Sequence, residues 1–341
     1  MSETKPKPLE LPWTVRIFIS ALSFATDVSR RSDGSVNRFI MSFFDSKSSP
    51  SSKPVKGVKT SDIVVDDARN LWFRLFVPTP SASTSTSTVG DISMPVIFYF
   101  HGGAFVFLGA NSKPYDDFCR RLARELQAII ISVNYRLAPE TRYPGQMEDG
   151  FDALKFVDEI KSSDGLLPPN ADLKQCFIAG DSAGGNLAHH VAHKASEYNF
   201  RNIDIRGVIL IQPFIGGEER VESETKLAGA PFVTVERTDW MWKAYLPEGS
   251  NRDHQASNVF GPNAVDISEV KFPATMVFVG GYDPLIDWQK KYYEGLKRHG
   301  KEAYLVEYPN AVHSFYIFPQ LPESSLFIEE LRDFMRKQST P

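Results

Sequence analysis

The chain has 341 residues, 42% of them hydrophobic and 23% charged, with 38 Lys+Arg against 42 Asp+Glu for a formal net charge of −4. This apolar share can fill a large core and excludes wholesale disorder, while the mild acidity gives nucleic acid or an anionic membrane no electrostatic hold. Two cysteines, Cys119 and Cys176, are too few for a disulfide framework or a four-thiolate zinc site.

In chain order, the first feature is an apolar stretch from Trp13 to Ala25, with Trp13, Ile17, Ala21 and Phe24 at helical spacing. Pro-rich, mixed-charge sequence precedes it and Arg16 interrupts it, unlike a secretory signal. No run approaches the ~20 apolar residues that span a bilayer. The expectation is a soluble, cytoplasmic protein, with a nuclear location left open, whose residues 1–45 form a lid segment. Two stretches, 46–54 (SKSSPSSKP) and 79–91 (TPSASTSTSTVGD), read as linkers because neither buries apolar area.

Residues 62–66 and 70–77 read as antiparallel strands, and 95–100 (PVIFYF) as a strand buried on both faces. A helix over 114–127, strand 128–133, helix 147–161, strand 176–179, helix 183–198 and strand 207–211 follow. Strand 274–279, helix 286–299, strand 303–308 and a helix near 323–337 close the series. Such alternation predicts an α/β fold, a mainly parallel sheet flanked by helices, in a catalytic domain over 55–338. Residues 213–270 interrupt the rhythm and are too long for a simple connection. Together with the N-terminal segment they are expected to form a cap at the carboxyl ends of the strands.

The strongest local signal is Gly180-Asp181-Ser182-Ala183-Gly184-Gly185, with an apolar strand running in and an Ala-rich helix leaving. A nucleophile elbow needs this setting, because the strained serine leaves no room for side chains two positions to either side. No Lys follows the glycines, which argues against a Walker-type phosphate loop. The second signal is His101-Gly102-Gly103-Ala104-Phe105 after strand 95–100. Gly102 and Gly103, with Ala183, are candidate N–H donors to an oxyanion.

A nucleophilic serine needs a base, and the base an orienting carboxylate. Of the seven histidines, His299 and His313 lie beyond strand 274–279. His299 sits beside Gly300 at a helix end, so His313, in an irregular turn, is the candidate base. Asp283, at the end of strand 274–279, is the candidate carboxylate and Asp287 the fallback. Tyr135-Arg136-Leu137-Ala138-Pro139-Glu140 reads as a rigid supporting loop with an ion pair. His189, His190 and His193 lack a third ligand and read as packing or surface residues.

These pieces together resemble the hormone-sensitive-lipase group of α/β-hydrolases: His-Gly-Gly after a strand, Tyr-Arg-Leu-Ala-Pro-Glu, Gly-Asp-Ser-Ala-Gly-Gly-Asn, Asp-Pro-Leu-x-Asp and a late His-x-Phe. The likeness spans about residues 55–335 and is nearest to plant carboxylesterases, to which the gibberellin receptor is related. It implies the α/β-hydrolase fold, a Ser182–His313–Asp283 triad, an oxyanion hole from Gly102, Gly103 and Ala183, and no metal or organic cofactor. Many members carry a third glycine where this chain has Ala104. The receptor has lost the catalytic histidine that His313 supplies here.

The expected activity is that of a serine carboxylesterase on small to medium uncharged esters. Two alternatives stay open: a hormone- or small-molecule-binding receptor-like protein, and a specialised hydrolase or lyase of plant secondary metabolism. The expected partner is the small-molecule ester, with no nucleic acid or membrane, as a monomer or weak dimer. The 25 Phe, 12 Tyr and 5 Trp are an unusual aromatic load. Phe105, Phe107, Phe214, Trp240, Trp242 and Phe315 flank the chemistry in sequence and are expected to line the substrate pocket.

Overall fold

A computed structural model of the chain describes residues 11–79 and 93–339. The Ser/Thr-rich stretch 79–91 lies, from residue 80 on, outside the described residues. The elements run α1 (Trp13–Ser29), α2 (Arg38–Ser42), β1 (Val58–Asp66), β2 (Leu71–Pro78), β3 (Met94–Phe100), α3 (Lys113–Leu126), β4 (Ile129–Asn134), α4 (Gly145–Glu159), β5 (Ala171–Asp181) and α5 (Ala183–Ser196). Then come β6 (Ile205–Ile211), α6 (Glu222–Lys226), α7 (Val235–Tyr245), β7 (Thr275–Tyr282), α8 (Ile286–Arg298), β8 (Ala303–Val312) and α9 (Pro322–Ser339).

The strands form one sheet in the order β1-β2-β4-β3-β5-β6-β7-β8. β2 pairs antiparallel with both neighbours, and every pairing from β4 to β8 is parallel. Side chains alternate across a strand, so the continuous apolar runs feed two cores. Phe98, Ile131, Leu210 and Val277 enter the one packed by Leu154 of α4 and Leu187 of α5. Ile97, Ile130, Ile209 and Phe278 enter the other, against Leu122 of α3 and Phe327 and Leu331 of α9. The central strands therefore lie out of water, and their carboxyl ends present loops side by side, as parallel α/β sheets do at their ligand crevices.

Two sequence expectations change. The 46–54 stretch is an ordered strap rather than a free linker, because its backbone finds partners: Lys113 N–H donates to Ser46 O (2.8 Å), Ser48 N–H to Asn111 O (2.8 Å), and Arg74 Nη1 to Ser48 O (2.8 Å). In α1 the stripe Trp13, Ile17 and Phe24 faces outward, 72%, 60% and 59% exposed, while Val15, Ile19 and Ala25 are buried against the body. Both faces of this helix are apolar, so spacing alone did not distinguish the buried one. From 213 to 270 the chain is largely irregular, with α6 and α7 inside it.

Candidate active site

Ser182 stands in the turn between β5 and α5 with φ 51° and ψ −118°, a strained conformation that costs of order 1–3 kcal/mol. Its flanking glycines are required by contact. A Cβ on Gly180 would sit 2.1 Å from Gly184 O, and one on Gly184 would sit 1.9 Å from Phe100 O. Neighbouring backbone holds the turn in place: Ser182 N–H donates to Ile211 O (2.9 Å), and Phe214 N–H to Ser182 O (2.7 Å).

Two strands away, Asp283 follows β7, and His313 follows β8. His313 Nδ1 lies 2.8 Å from Asp283 Oδ2, and its Nε2 lies 3.1 Å from Ser182 Oγ. A carboxylate only accepts, so Nδ1 carries the proton and Nε2 is left to accept from the serine hydroxyl. Asp283 is fully buried and receives three further bonds, from Leu285 N–H (3.0 Å), Gln289 Nε2 (2.9 Å) and Gln212 Nε2 (3.1 Å). The fallback Asp287 points elsewhere, accepting Ser223 N–H at 2.8 Å.

The loop after β3 is wound tightly, with positive φ at Gly103 (98°), Ala104 (54°) and Phe105 (64°). This corrects the expected donor set. Gly102 N–H is already engaged by Tyr115 Oη (2.8 Å) and Asp181 Oδ1 (2.9 Å). Gly103 and Ala104 instead border the cavity at Ser182. The candidate donors become Gly103, Ala104 and Ala183. Asp181 anchors this loop from below. Its buried carboxylate accepts Tyr115 Oη (2.8 Å) together with the hydroxyls of Tyr99 and Tyr316. Burial pushes the Asp181 carboxyl upward against these bonds, and lifts the tyrosines well above the ordinary phenol range. Burial also drives His101 down to about 3, so its ring is neutral and stacks on Tyr135 at 4.2 Å.

Ser182 opens into a narrow cavity lined by Phe107, Phe214, Phe232, Met241 and Leu285, with Leu22 and Thr26 of α1 as its roof. A second cavity shares Ser182, Gly103, Leu22, Leu108 and Phe232, and extends to Phe18, Ile19, Ile317 and Phe318. The two lobes therefore meet at the serine under one helix. Arg237 of α7 reaches the first lobe, but Asp27 of α1 holds it by two bonds (2.8 and 2.6 Å), so the lining carries no unpaired charge there.

A model of the α/β-hydrolase fold matches residues 97–317. The chain belongs to the α/β-hydrolase family. Its group joins receptors and enzymes. Gibberellin receptor GID1C of Arabidopsis thaliana is 40% identical over 96% of this chain and 95% of that protein. Carboxylesterase 20 of the same plant is 35% identical over 80% of this chain and 83% of that one. Among solved structures, the ester-hydrolase EH1AB1 from the metagenome of Lake Arreo, complexed with a bipyridine phosphonate derivative, superposes with a TM-score of 0.72 at 25% identity, over 96% of this chain and 98% of that one.

Two of the six expected pocket aromatics, Phe107 and Phe214, line the cavity. Trp242 and Phe105 stand behind it. Trp242 stacks on Phe214 at 4.0 Å, and Phe105 stacks on Tyr245 at 3.6 Å. Trp240 and Phe315 lie elsewhere. Trp240 Nε1 donates to Arg31 O (3.2 Å), while Phe315 packs on Tyr308 and Phe327 in the core. The Tyr135–Glu140 loop carries a partly buried ion pair between Arg136 and Asp149 (2.8 Å), and Glu140 instead reaches Arg38 of α2. His189 bonds Tyr292 Oη (2.9 Å), and no group of three metal ligands exists among the described residues. No helix among them is long and apolar enough to cross a membrane.

Proposed function

We propose that the protein is a serine carboxylesterase that hydrolyses small to medium uncharged esters. The observation behind this reading is the unbroken hydrogen-bond chain Ser182–His313–Asp283, ending in a serine at the junction of two apolar lobes. Ser182 Oγ attacks the ester carbonyl while its proton passes to His313 Nε2. N–H groups of Gly103, Ala104 and Ala183 hold the oxyanion. The carbonyl–alkoxy bond then breaks, the alkoxide takes the proton from Nε2, and a water deprotonated by His313 releases the acid. Asp283 stays ionised and keeps Nδ1 protonated throughout.

A specific observation favours a second reading, small-molecule binding without turnover: 40% identity to a gibberellin receptor spans 96% of the chain. Ser182→Ala separates the two. The expected result is loss of p-nitrophenyl butyrate turnover by a factor of about 10³ or more, with fluorophosphonate labelling of wild type alone. Full activity in the variant, or no labelling of wild type, refutes the esterase reading.

A further inference from the structure

The geometry points to Gln212 as the positioning residue that fixes His313 between Asp283 and Ser182. This inference rests on the triad reading above. Gln212 directly follows β6, the strand between those that carry Ser182 and Asp283. Its side chain is fully buried and uses both ends of its amide. Nε2 donates to Asp283 Oδ2 and to Val312 O, each at 3.1 Å, and Oε1 accepts Ser314 N–H at 2.8 Å. One amide thus grips the carboxylate and the peptide groups on either side of His313. The amide orientation follows from its partners, since the reverse would set its oxygen against two acceptors and its NH₂ against a donor.

Two further features mark this as a built arrangement. Gln212 adopts φ 45°, a conformation costly for any residue with a side chain, and its N–H is tied to Phe278 O at 2.8 Å. Gly280 on β7 makes room for the amide, because a Cβ there would lie 2.7 Å from Gln212 Nε2. The same strand end also fixes the nucleophile, through Ile211 O and Phe214 N–H. A four-residue segment therefore sets the spacing of all three triad members. Displacements of about 1 Å cost about 10²-fold in rate, so this is the scale of effect expected.

The test compares Gln212→Met, of similar volume but without the amide, and Gln212→Asn, which suits the left-handed backbone but falls one methylene short. Both variants keep a residue with a side chain at φ 45°, so the backbone cost does not rise. Assays are kcat and KM with p-nitrophenyl butyrate and nitrogen NMR of the His313 ring. Expected are a kcat about 10²-fold lower in both, KM within about twofold, and loss of the single Nδ1–H tautomer in Gln212→Met. Wild-type kcat in either variant, or an unaltered His313 tautomer, overturns the inference. Should wild type neither turn over ester nor label with a fluorophosphonate, the esterase reading fails, and the His313 tautomer in Gln212→Met still decides the positioning role.

Discussion

Gly103→Ala tests whether the wound loop after β3 must hold its present shape. A Cβ at this position would lie 2.2 Å from Phe107 O and 2.9 Å from Phe107 C, both backbone atoms that cannot rotate away. The φ of 98° adds about 1–2 kcal/mol for any L side chain. Relief requires the 103–107 turn to open, which breaks the bonds from Val106 N–H (3.0 Å) and Phe107 N–H (2.9 Å) to Gly103 O, each worth about 1 kcal/mol. About 3–4 kcal/mol of distortion thus falls on the segment proposed to supply N–H groups to the oxyanion, and losing one such donor costs about 10²–10³ in kcat. The assay is p-nitrophenyl butyrate kcat on protein whose folded fraction is checked by circular dichroism. Ala104→Gly is the paired control: it relieves the strain at φ 54°, so kcat should stay within about threefold and stability should rise by about 0.5–1 kcal/mol. A folded Gly103→Ala protein with kcat near wild type refutes the assignment of this loop as the oxyanion hole.

Asp27→Asn removes one side of the pair that fastens α1 to α7. Asp27 is 41% exposed, so after solvent screening the pair is worth about 1 kcal/mol, or about fivefold in the closed population. KM should rise about fivefold, butyrate should become an inhibitor as Arg237 is freed, and trypsin should cut earlier in α1; three unchanged readings count against α1 as a working roof. Acid stability offers an independent check. Burial holds His190 down to about 4 against an ordinary value of 6.5. A depressed histidine pKa means that the unfolded chain binds the proton first, so stability falls as pH drops from 6.5 toward 4. Between pH 7.5 and pH 5 the loss assigned to His190 is about 2 kcal/mol, and His190→Gln should flatten the urea-midpoint profile by that amount. An identical profile in the variant would dismiss His190 as a source.

The parts legible in the sequence were those whose signal is local. Ser182 could be found because Gly180 and Gly184 must lie two residues to either side, and β3 because Val96–Phe100 is a continuous apolar run buried on both faces. β5 was read short, as 176–179, since Asp172, Lys174 and Gln175 at its start carry no apolar pattern although the ladder begins at Ala171. Gln212 and Gln289 carry no motif at all; their role arises only where β6, β7 and β8 end side by side. Sequence proximity also misplaced Phe315. It is two residues after His313, yet Ser314 at φ 67° turns the chain so that the ring enters the core. The oxyanion assignment failed for a similar reason: Gly102 is the first glycine after the strand, but its N–H is claimed by Asp181, a residue 79 positions away.

The charge arrangement around the cavity bears on which of the two functional readings the roof serves. Apolar side chains dominate the lobes, and Arg237, a cation that lines the first, is paired with Asp27 and donates to Phe232 O at 2.9 Å. A ligand carboxylate would find no free guanidinium there and would lose its hydration on entry. Neutral esters enter without that penalty, whereas the acid formed on hydrolysis becomes an anion in an apolar lobe and is driven out. The Asp27–Arg237 pair is one of several contacts that hold α1, beside its buried Val15, Ile19 and Ala25. The pairing of Arg237 with Asp27 thus leaves a ligand anion no free guanidinium in this lobe, and a neutral ester no unmatched charge to meet.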